Sequence, residues 1–392
     1  MRTEDRNGHP RDALTAARAL CVRLGGWLRD AALPLWSREG YDRAHGGFAE
    51  RLTAEGAVTG DARRARVQVR QVYVFANAAA LGWRGDPAPL VREGLEHFLR
   101  RYRRSDGLFR TLCAADGTPL DERAFLYDQA FVLLALAHGQ QVLGPAAHLT
   151  EEAEQLQGAL ERLLRRGGAG FYSGAPERLP LLANPHMHLL EAALAWREVS
   201  SAPVWGRLVG ELTELALERF IDPATGALLE RFGEHWQPVA ADAQLVEPGH
   251  LFEWSWLLQR CGGRRARQAA VRLIQVGEEH GVHRGITING LHQDLHVTDA
   301  EARLWPQTER LKANARLAIS EPRCWPAAVE AAEALLRYLA SAPPGLWHDR
   351  LTLKDQFVEE PAPASSFYHI VAAISELKAA VASLPPAPGA RL

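Results

Sequence analysis

The 392-residue chain has almost no net charge: 45 Lys and Arg against 47 Asp and Glu leave −2. A nucleic-acid or anionic-membrane surface needs an excess of positive charge, so neither partner is expected. Arginine far outnumbers lysine, but the arginines alternate with Glu and Asp along helix-patterned stretches, as on solvated outer helices. Cysteine is thin as well. Cys21, Cys113, Cys261 and Cys324 lie far apart, with no pair at metal-ligand or redox-motif spacing, a pattern that suits a reducing compartment. Long apolar runs are missing: no stretch reaches the ~18 residues that begin to suggest a bilayer span. Met1–Arg11 is polar and carries no apolar signal region. A soluble cytoplasmic protein without membrane contact is expected. No Gly-rich phosphate loop, dinucleotide fingerprint, His-Glu-x-x-His or Cys ligand set occurs, so neither a nucleotide cofactor nor a metal is indicated.

What the chain has instead is a beat. Arg70, Gln129, His188, His250, Glu309 and His369 each sit in an otherwise apolar, helix-patterned stretch about sixty residues from the next, which marks a repeat architecture. A second series keeps the same step: Gly47-Phe48, Gly107-Leu108-Phe109, Gly170-Phe171, Gly226-Ala227-Leu228, Gly285-Ile286 and Gly345-Leu346-Trp347 each open a strand-like segment ahead of the next polar helix. Helices are expected at 11–33, 63–82, 87–104, 121–140, 150–166, 184–199, 203–220, 245–262, 263–280, 305–318, 324–341 and 365–383. Asp61, Asp121 and Asn184-Pro185 read as start signals. Between them lie hairpin-like segments, such as Gly107–Leu112 with Asp116-Gly117 as its turn. Odd helices are charged, as in Thr150–Arg166, and even helices are apolar nearly all round, as in Phe125–Ala137. Six buried helices inside six amphipathic ones describe an all-α fold, an (α/α)6 barrel with short β-hairpins on the active-site face. It is expected to span residues 11–384, between poorly ordered tails at 1–10 and 385–392.

Each hairpin leads into an inner helix, so hairpins and inner-helix N-termini share one face, a mouth suited to a ligand that develops negative charge. His250 follows Glu247-Pro248-Gly249 and falls in the first turn of its helix, with Glu253 three positions on along the same face. The pair reads as an acid–base group with an orienting carboxylate, or as a capping histidine with a surface partner. His369, after Ser365-Ser366-Phe367-Tyr368, occupies the equivalent place; together the two can act as base and acid from two sides. Asn184 and His188 share a face. A zinc ion on His186, His188 and His250 is the competing reading. Arg70 and Arg66 sit on a buried helix and need a carboxylate or a polar ligand, with Arg70 the better functional candidate. Gln129, Trp305 and Glu309 complete the ring, Trp305 as core filler or a sugar-stacking platform.

These segments resemble the N-acylglucosamine 2-epimerase family: Gln-Val-Arg-Gln at 68–71, Tyr-Asp-Gln-Ala-Phe at 127–131, Asn-Pro-His-Met-His-Leu-Leu-Glu-Ala at 184–192, Glu-Pro-Gly-His-Leu-Phe-Glu-Trp at 247–254, Leu-Trp-Pro-Gln-Thr-Glu at 304–309 and Phe-Tyr-His-Ile at 367–370. The resemblance runs from about residue 11 to 383 and implies an (α/α)6 barrel. It further implies proton transfer by His250 and His369, sugar contacts from Asn184, His188 and Arg70, and support of His250 by Glu253. Ser-Ser-Phe-Tyr-His is more like the mannose isomerase branch than the cellobiose epimerases. The implied reaction interconverts an aldose and a ketose, D-mannose and D-fructose first, through a cis-enediol, with His369 as the C2 base or the roles reversed. It needs no metal or redox cofactor. The sugar 2-epimerases of the family are the nearest alternative. A glycoside hydrolase using Asp128 and Glu309 and a non-catalytic sugar-binding barrel come after. A monosaccharide is the expected partner, and there is room for a homodimer.

Overall fold

The computed structural model describes residues 10–145, 148–176, 178–241 and 244–385. The two tails, apart from Pro10 and Pro385, lie outside the described residues. Helices alternate between an outer and an inner layer. α1 (Pro10–Trp27) continues through a π turn at Leu28–Ala32 into α2 (Leu33–Arg38), and α3 (Ala65–Ala78) follows inside. The next pairs are α4 (Ala88–Tyr102) and α5 (Leu126–Leu143), α6 (Leu149–Leu163) and α7 (Ala183–Val199), and α8 (Pro203–Leu215) and α9 (Pro248–Cys261). The last are α10 (Arg264–His280) and α11 (Leu304–Ala318), then α12 (Trp325–Ala340) and α13 (Ala364–Ala382). Every helix expected from the sequence is present.

Burial sorts the layers. In α6 the buried positions are Leu149, Ala153, Leu156, Ala159 and Leu160, a single stripe at helical spacing. In α5 every residue from Asp128 to Ala137 is buried, so this helix has neighbours on all sides. The inner helices pack in chain order, α3 on α5 through to α11 on α13, and α13 returns against α3 while α1 meets α12 in the outer layer. The ring closes.

Backbone pairing closes it a second time. The residues entering each inner helix pair with the hairpin of the next repeat: Arg63–Arg64 with Leu112–Cys113, Ala124–Phe125 with Gly174–Ala175, and Leu181–Leu182 with Arg231–Phe232. Val246 bridges Leu291, Ala302–Arg303 pairs with Arg350–Leu351, and Ala362–Pro363 returns to Arg51–Leu52. This pairing corrects two expected helix starts. Asp61 and Asp121 do not cap; α3 begins at Ala65 and α5 at Leu126. The first N–H of an inner helix is already taken: Ala65 donates to Thr111 O at 2.8 Å, Leu126 to Ser173 O at 3.0 Å and Ala183 to Glu230 O at 3.0 Å. A side-chain cap is superfluous where a neighbouring strand supplies the acceptor.

Candidate active site

Inner helices carry two kinds of polar position, two residues apart. The first clamps a glycine turn. Gln68 accepts the Phe48 N–H at 2.7 Å and donates to Phe48 O at 2.8 Å. Gln129 does the same to Phe109 at 2.9 Å each way, and Gln307 to Thr287 at 2.8 Å each way. His186 accepts the Phe171 N–H at 3.0 Å. The glycine series has its reason here: Gly47 has φ +80°, and a Cβ on it would lie 2.8 Å from Gln68 Oε1. Gln129, expected in the ring of pocket residues, therefore belongs to the clamps. The α5 member of the pocket register is Phe131, whose ring lies 4.1 Å from the Arg70 guanidinium carbon. Gln129→Leu is expected to cost about 2–4 kcal/mol, since it strands both backbone groups of Phe109. Urea unfolding should show that loss, while kcat/KM of the folded fraction stays within about twofold.

The second kind faces a cavity of about 300 Å³ at the mouth of the ring, lined by Arg70, Asn184, His188, His250, Glu253, Trp305 and His369 together with Arg64, Arg66, Tyr127, Glu247, Arg303, Ser365 and Ser366. That volume is at the small end for ligand pockets and matches a small polar molecule. Glu309 sits directly beneath it. Trp305 forms the wall next to both histidines, its ring centre 5.0 Å from His250 and 5.7 Å from His369. It reaches that place because residue 249 is glycine; a Cβ there would lie 2.4 Å from the indole.

The two histidines are buried alike and shifted in opposite directions. His250 donates from Nδ1 to Glu230 Oε1 at 2.7 Å, with Glu247 at 3.7 Å. Burial opposes its charge, but the two carboxylates overcome burial and hold its pKa well above the ordinary imidazole value. His369 donates from Nδ1 to Glu309 Oε1 at 2.8 Å. Burial, with Arg70, Lys312 and His188 nearby, holds it well below that value. One imidazole is held toward its charged form and the other toward its neutral, basic form.

Glu253 is not the support of His250. It lies beside His188, 3.9 Å from Nδ1, while Glu191 takes the His188 Nδ1 proton at 3.2 Å. One turn of helix puts residue 253 over the neighbouring helix, whereas Glu230 reaches His250 from the hairpin. Burial and the adjacent Glu309 push the Glu253 carboxyl well above its usual range. Both Glu253 oxygens, Asn184 Oδ1 and Arg70 Nε are buried without a hydrogen-bond partner among the described residues. Buried polar atoms without partners are rare, and these converge on one cavity, ready for a ligand rich in hydroxyls. Arg70 donates to Tyr127 Oη at 2.6 Å and to Ser365 O at 3.3 Å. Arg64, Arg66 and Arg303 each hold a carboxylate, Glu50, Asp128 and Asp349 respectively. Arg70 is the one lining arginine with no carboxylate partner among the described residues.

The competing readings lose their residues. Asp128 is buried against Arg66, and Glu309 is committed to His369 and Lys312; neither lines the cavity as a hydrolase carboxylate must. His186 is turned to Phe171 N and Leu182 O, away from His188 and His250, which removes the zinc trio. Three His/Glu groups in and under the cavity, His188–Glu191–Glu253, Glu230–Glu247–His250 and Glu253–Glu309–His369, do bring ligand atoms within 4.8 Å of one another. In each, the imidazole Nδ1 donates to a carboxylate of the same group.

Glu230 and Lys312 have no forerunner in the sequence reading, and Tyr127 and Glu191 enter it only within the motifs at 127–131 and 184–192. A signal for Glu230 exists: it sits four residues after Gly226, as Thr111 does after Gly107 and Asp349 after Gly345. All three carbonyls cap the preceding inner helix, so their side chains enter at equivalent points around the mouth.

A closed double ring of helices with two histidines of opposed proton affinity over a small polar cavity suits an isomerase or epimerase acting on sugars, and relatives place it there. The profile of N-acylglucosamine 2-epimerase (GlcNAc 2-epimerase) matches residues 46–373. The chain is 45% identical over 370 residues to the mannose-6-phosphate isomerase of Rhizobium meliloti (strain 1021), covering 91% of this chain and 96% of that one. Among solved structures, the cellobiose 2-epimerase of Spirochaeta thermophila DSM 6192 superposes with a TM-score of 0.84 at 20% identity, covering 93% of this chain and 97% of its own. A D-mannose isomerase superposes at 0.83 with 19% identity and the same coverage. The protein belongs to the N-acylglucosamine 2-epimerase family. No helix among the described residues is long and apolar enough to cross a membrane.

Proposed function

We propose that the protein interconverts an aldose and its 2-ketose, D-mannose and D-fructose first, by carrying one proton between C2 and C1 through a cis-enediol. The observation that carries this reading is two imidazoles on one cavity, each with Nδ1 held by its own carboxylate, His369 by Glu309 at 2.8 Å and His250 by Glu230 at 2.7 Å, and with proton affinities shifted in opposite directions. His369, its Nδ1–H held by Glu309, offers Nε2 to the C2 proton. As that bond breaks, charge moves onto the aldehyde oxygen O1, which takes a proton from His250 and gives the enediol. Arg70 offers its unpaired charge to the developing oxyanion. Loss of the O2 proton to His250 and delivery of the carbon-bound proton from His369 to C1 gives the ketose and restores both histidines. Asn184, His188 and Glu253 hold the hydroxyls. Protonation of C2 from the opposite face, by His250, would give the 2-epimer instead.

The relative at 45% identity, named a mannose-6-phosphate isomerase, supports the isomerase over the epimerase. One relative's name carries a phosphate, but Arg64 and Arg303 are already neutralised by Glu50 and Asp349. The unphosphorylated sugar is therefore the substrate adopted. Four free cysteines support a cytoplasmic location. The test is incubation with mannose in deuterated water, read by NMR. Fructose deuterated at C1 is expected; glucose deuterated at C2 would favour epimerisation, and conversion without solvent label would point to transfer sheltered from water. Mannose 6-phosphate run in parallel reads the phosphate question: a kcat/KM above that for mannose overturns the choice made here.

A further inference from the structure

Beneath the cavity floor lies a cation with no place in the reaction as described. Lys312 on α11 is wholly buried, with Nζ 2.6 Å from Glu309 Oε2 and 4.0 Å from the centre of the Trp256 ring. The other oxygen of the same carboxylate, Oε1, accepts the His369 Nδ1 proton at 2.8 Å. One carboxylate thus bridges a buried ammonium and an imidazole that opens onto the cavity.

Its surroundings make that carboxylate's charge precarious. Glu191 comes in from α7, bonded to Tyr368 Oη at 2.5 Å, and Glu253 comes in from α9. Tyr73 and Arg70 face the group from α3, His188 from α7, and Tyr368 from α13. Three carboxylates crowd around one ammonium. Burial and the nearby Glu191 favour a proton on Glu309, and Lys312 is the main group opposing it. A protonated Glu309 would donate its O–H to His369 Nδ1. The imidazole proton would then sit on Nε2, at the end that faces the cavity, and no lone pair would be left for a C–H bond.

We infer that Lys312 is a positioning residue: its ammonium keeps Glu309 an acceptor, which fixes the His369 proton on Nδ1 and leaves Nε2 free as the base. The inference rests on the assignment of His369 as base. It differs from a purely structural ion pair in what it predicts for the tautomer and for pH.

Lys312→Met removes the charge and keeps most of the length. Its kcat is expected to fall about 10²-fold at pH 7, with KM for mannose within about threefold. The residual kcat should climb with pH, because higher pH strips the proton from Glu309. In 15N NMR of labelled imidazoles, His369 should carry its proton on Nδ1 in the wild-type protein and on Nε2 in the variant. A kcat within threefold of wild type, or an unchanged tautomer, overturns the inference. If Lys312→Met fails to fold, the double variant Glu309→Gln/Lys312→Met removes both charges of the pair. It is expected to match Glu309→Gln alone in kcat, and a further loss of tenfold or more would sink the proposal. His369→Asn tests the base assignment separately: full isomerase activity in that variant defeats the assignment, while the wild-type and Lys312→Met tautomers still decide what Lys312 does.

Discussion

His369→Asn is expected to lower kcat by about 10³–10⁴ and to abolish exchange of the sugar's C2 proton with solvent, while KM stays near the wild-type value. The reasoning is geometric. Asn can still donate to Glu309 Oε1, the partner of the native Nδ1 proton at 2.8 Å, so the buried carboxylate is not stranded. Trp305 keeps its place as well, since its seat is set by the glycine at 249. What disappears is the basic nitrogen aimed at the cavity. A parallel His250→Asn should be less severe for exchange than for turnover, because the enediolate can form without a full proton transfer to O1 but cannot be carried efficiently to the ketose. Deuterium wash-in measured beside product formation separates the two steps. If the His369 variant exchanges the C2 proton at the native rate, the base lies elsewhere.

Glu230→Gln is expected to move the alkaline limb of the kcat–pH profile down by a unit or more, with a loss of about tenfold at pH 8. Glu230 is the nearest carboxylate to His250, at 2.7 Å, and with Glu247 it holds that imidazole charged against burial. An acid that must be charged works below its pKa, so activity fades as pH rises through the raised value. Without Glu230 that point drops. The acid limb belongs to His369, whose lowered pKa keeps it a free base until the pH falls well below 6.5, and it should not move. Stability follows the same signs. The folded-state pKa of His250 is raised, so its contribution is fully present below the unfolded value and is lost as pH rises through the folded one. His369 runs the other way: its contribution is present above the unfolded value and is lost as pH falls. Melting temperature against pH should show the alkaline fade in wild type and little of it in Glu230→Gln. An unchanged alkaline limb in the variant would remove Glu230 from the account of His250.

Much of the fold could be read because its information is local. The contrast between Thr150–Arg166 and Phe125–Ala137 is a matter of composition and helical period, and it sorted outer from inner helices without any tertiary knowledge. The step of about sixty residues located the cavity for the same reason, since equivalent positions in a closed repeat must meet. The errors have a common origin too. Gln129 lies two positions ahead of the pocket register, and two residues turn a helix through about 200°, to the opposite face. On a helix apolar all round, such as α5, no amphipathic stripe tells one face from the other. The amide that appeared to join the ring of pocket residues in fact holds Phe109 on the far side.

By itself the sequence determined the six-fold count, the layering, the two histidines at helix N-termini and, through its motifs, the family. Tertiary structure alone decided which carboxylate serves which histidine: Glu230 from a hairpin twenty residues upstream for His250, and Glu309 from the neighbouring helix for His369. It also decided their charge, because a proton affinity is set by burial and by every group within a few ångströms, whatever its place in the chain. Periodicity can bring two imidazoles to one mouth. Making one an acid and the other a base takes Glu230, Glu247, Arg70 and Lys312, contributed by four separate segments once the ring has closed.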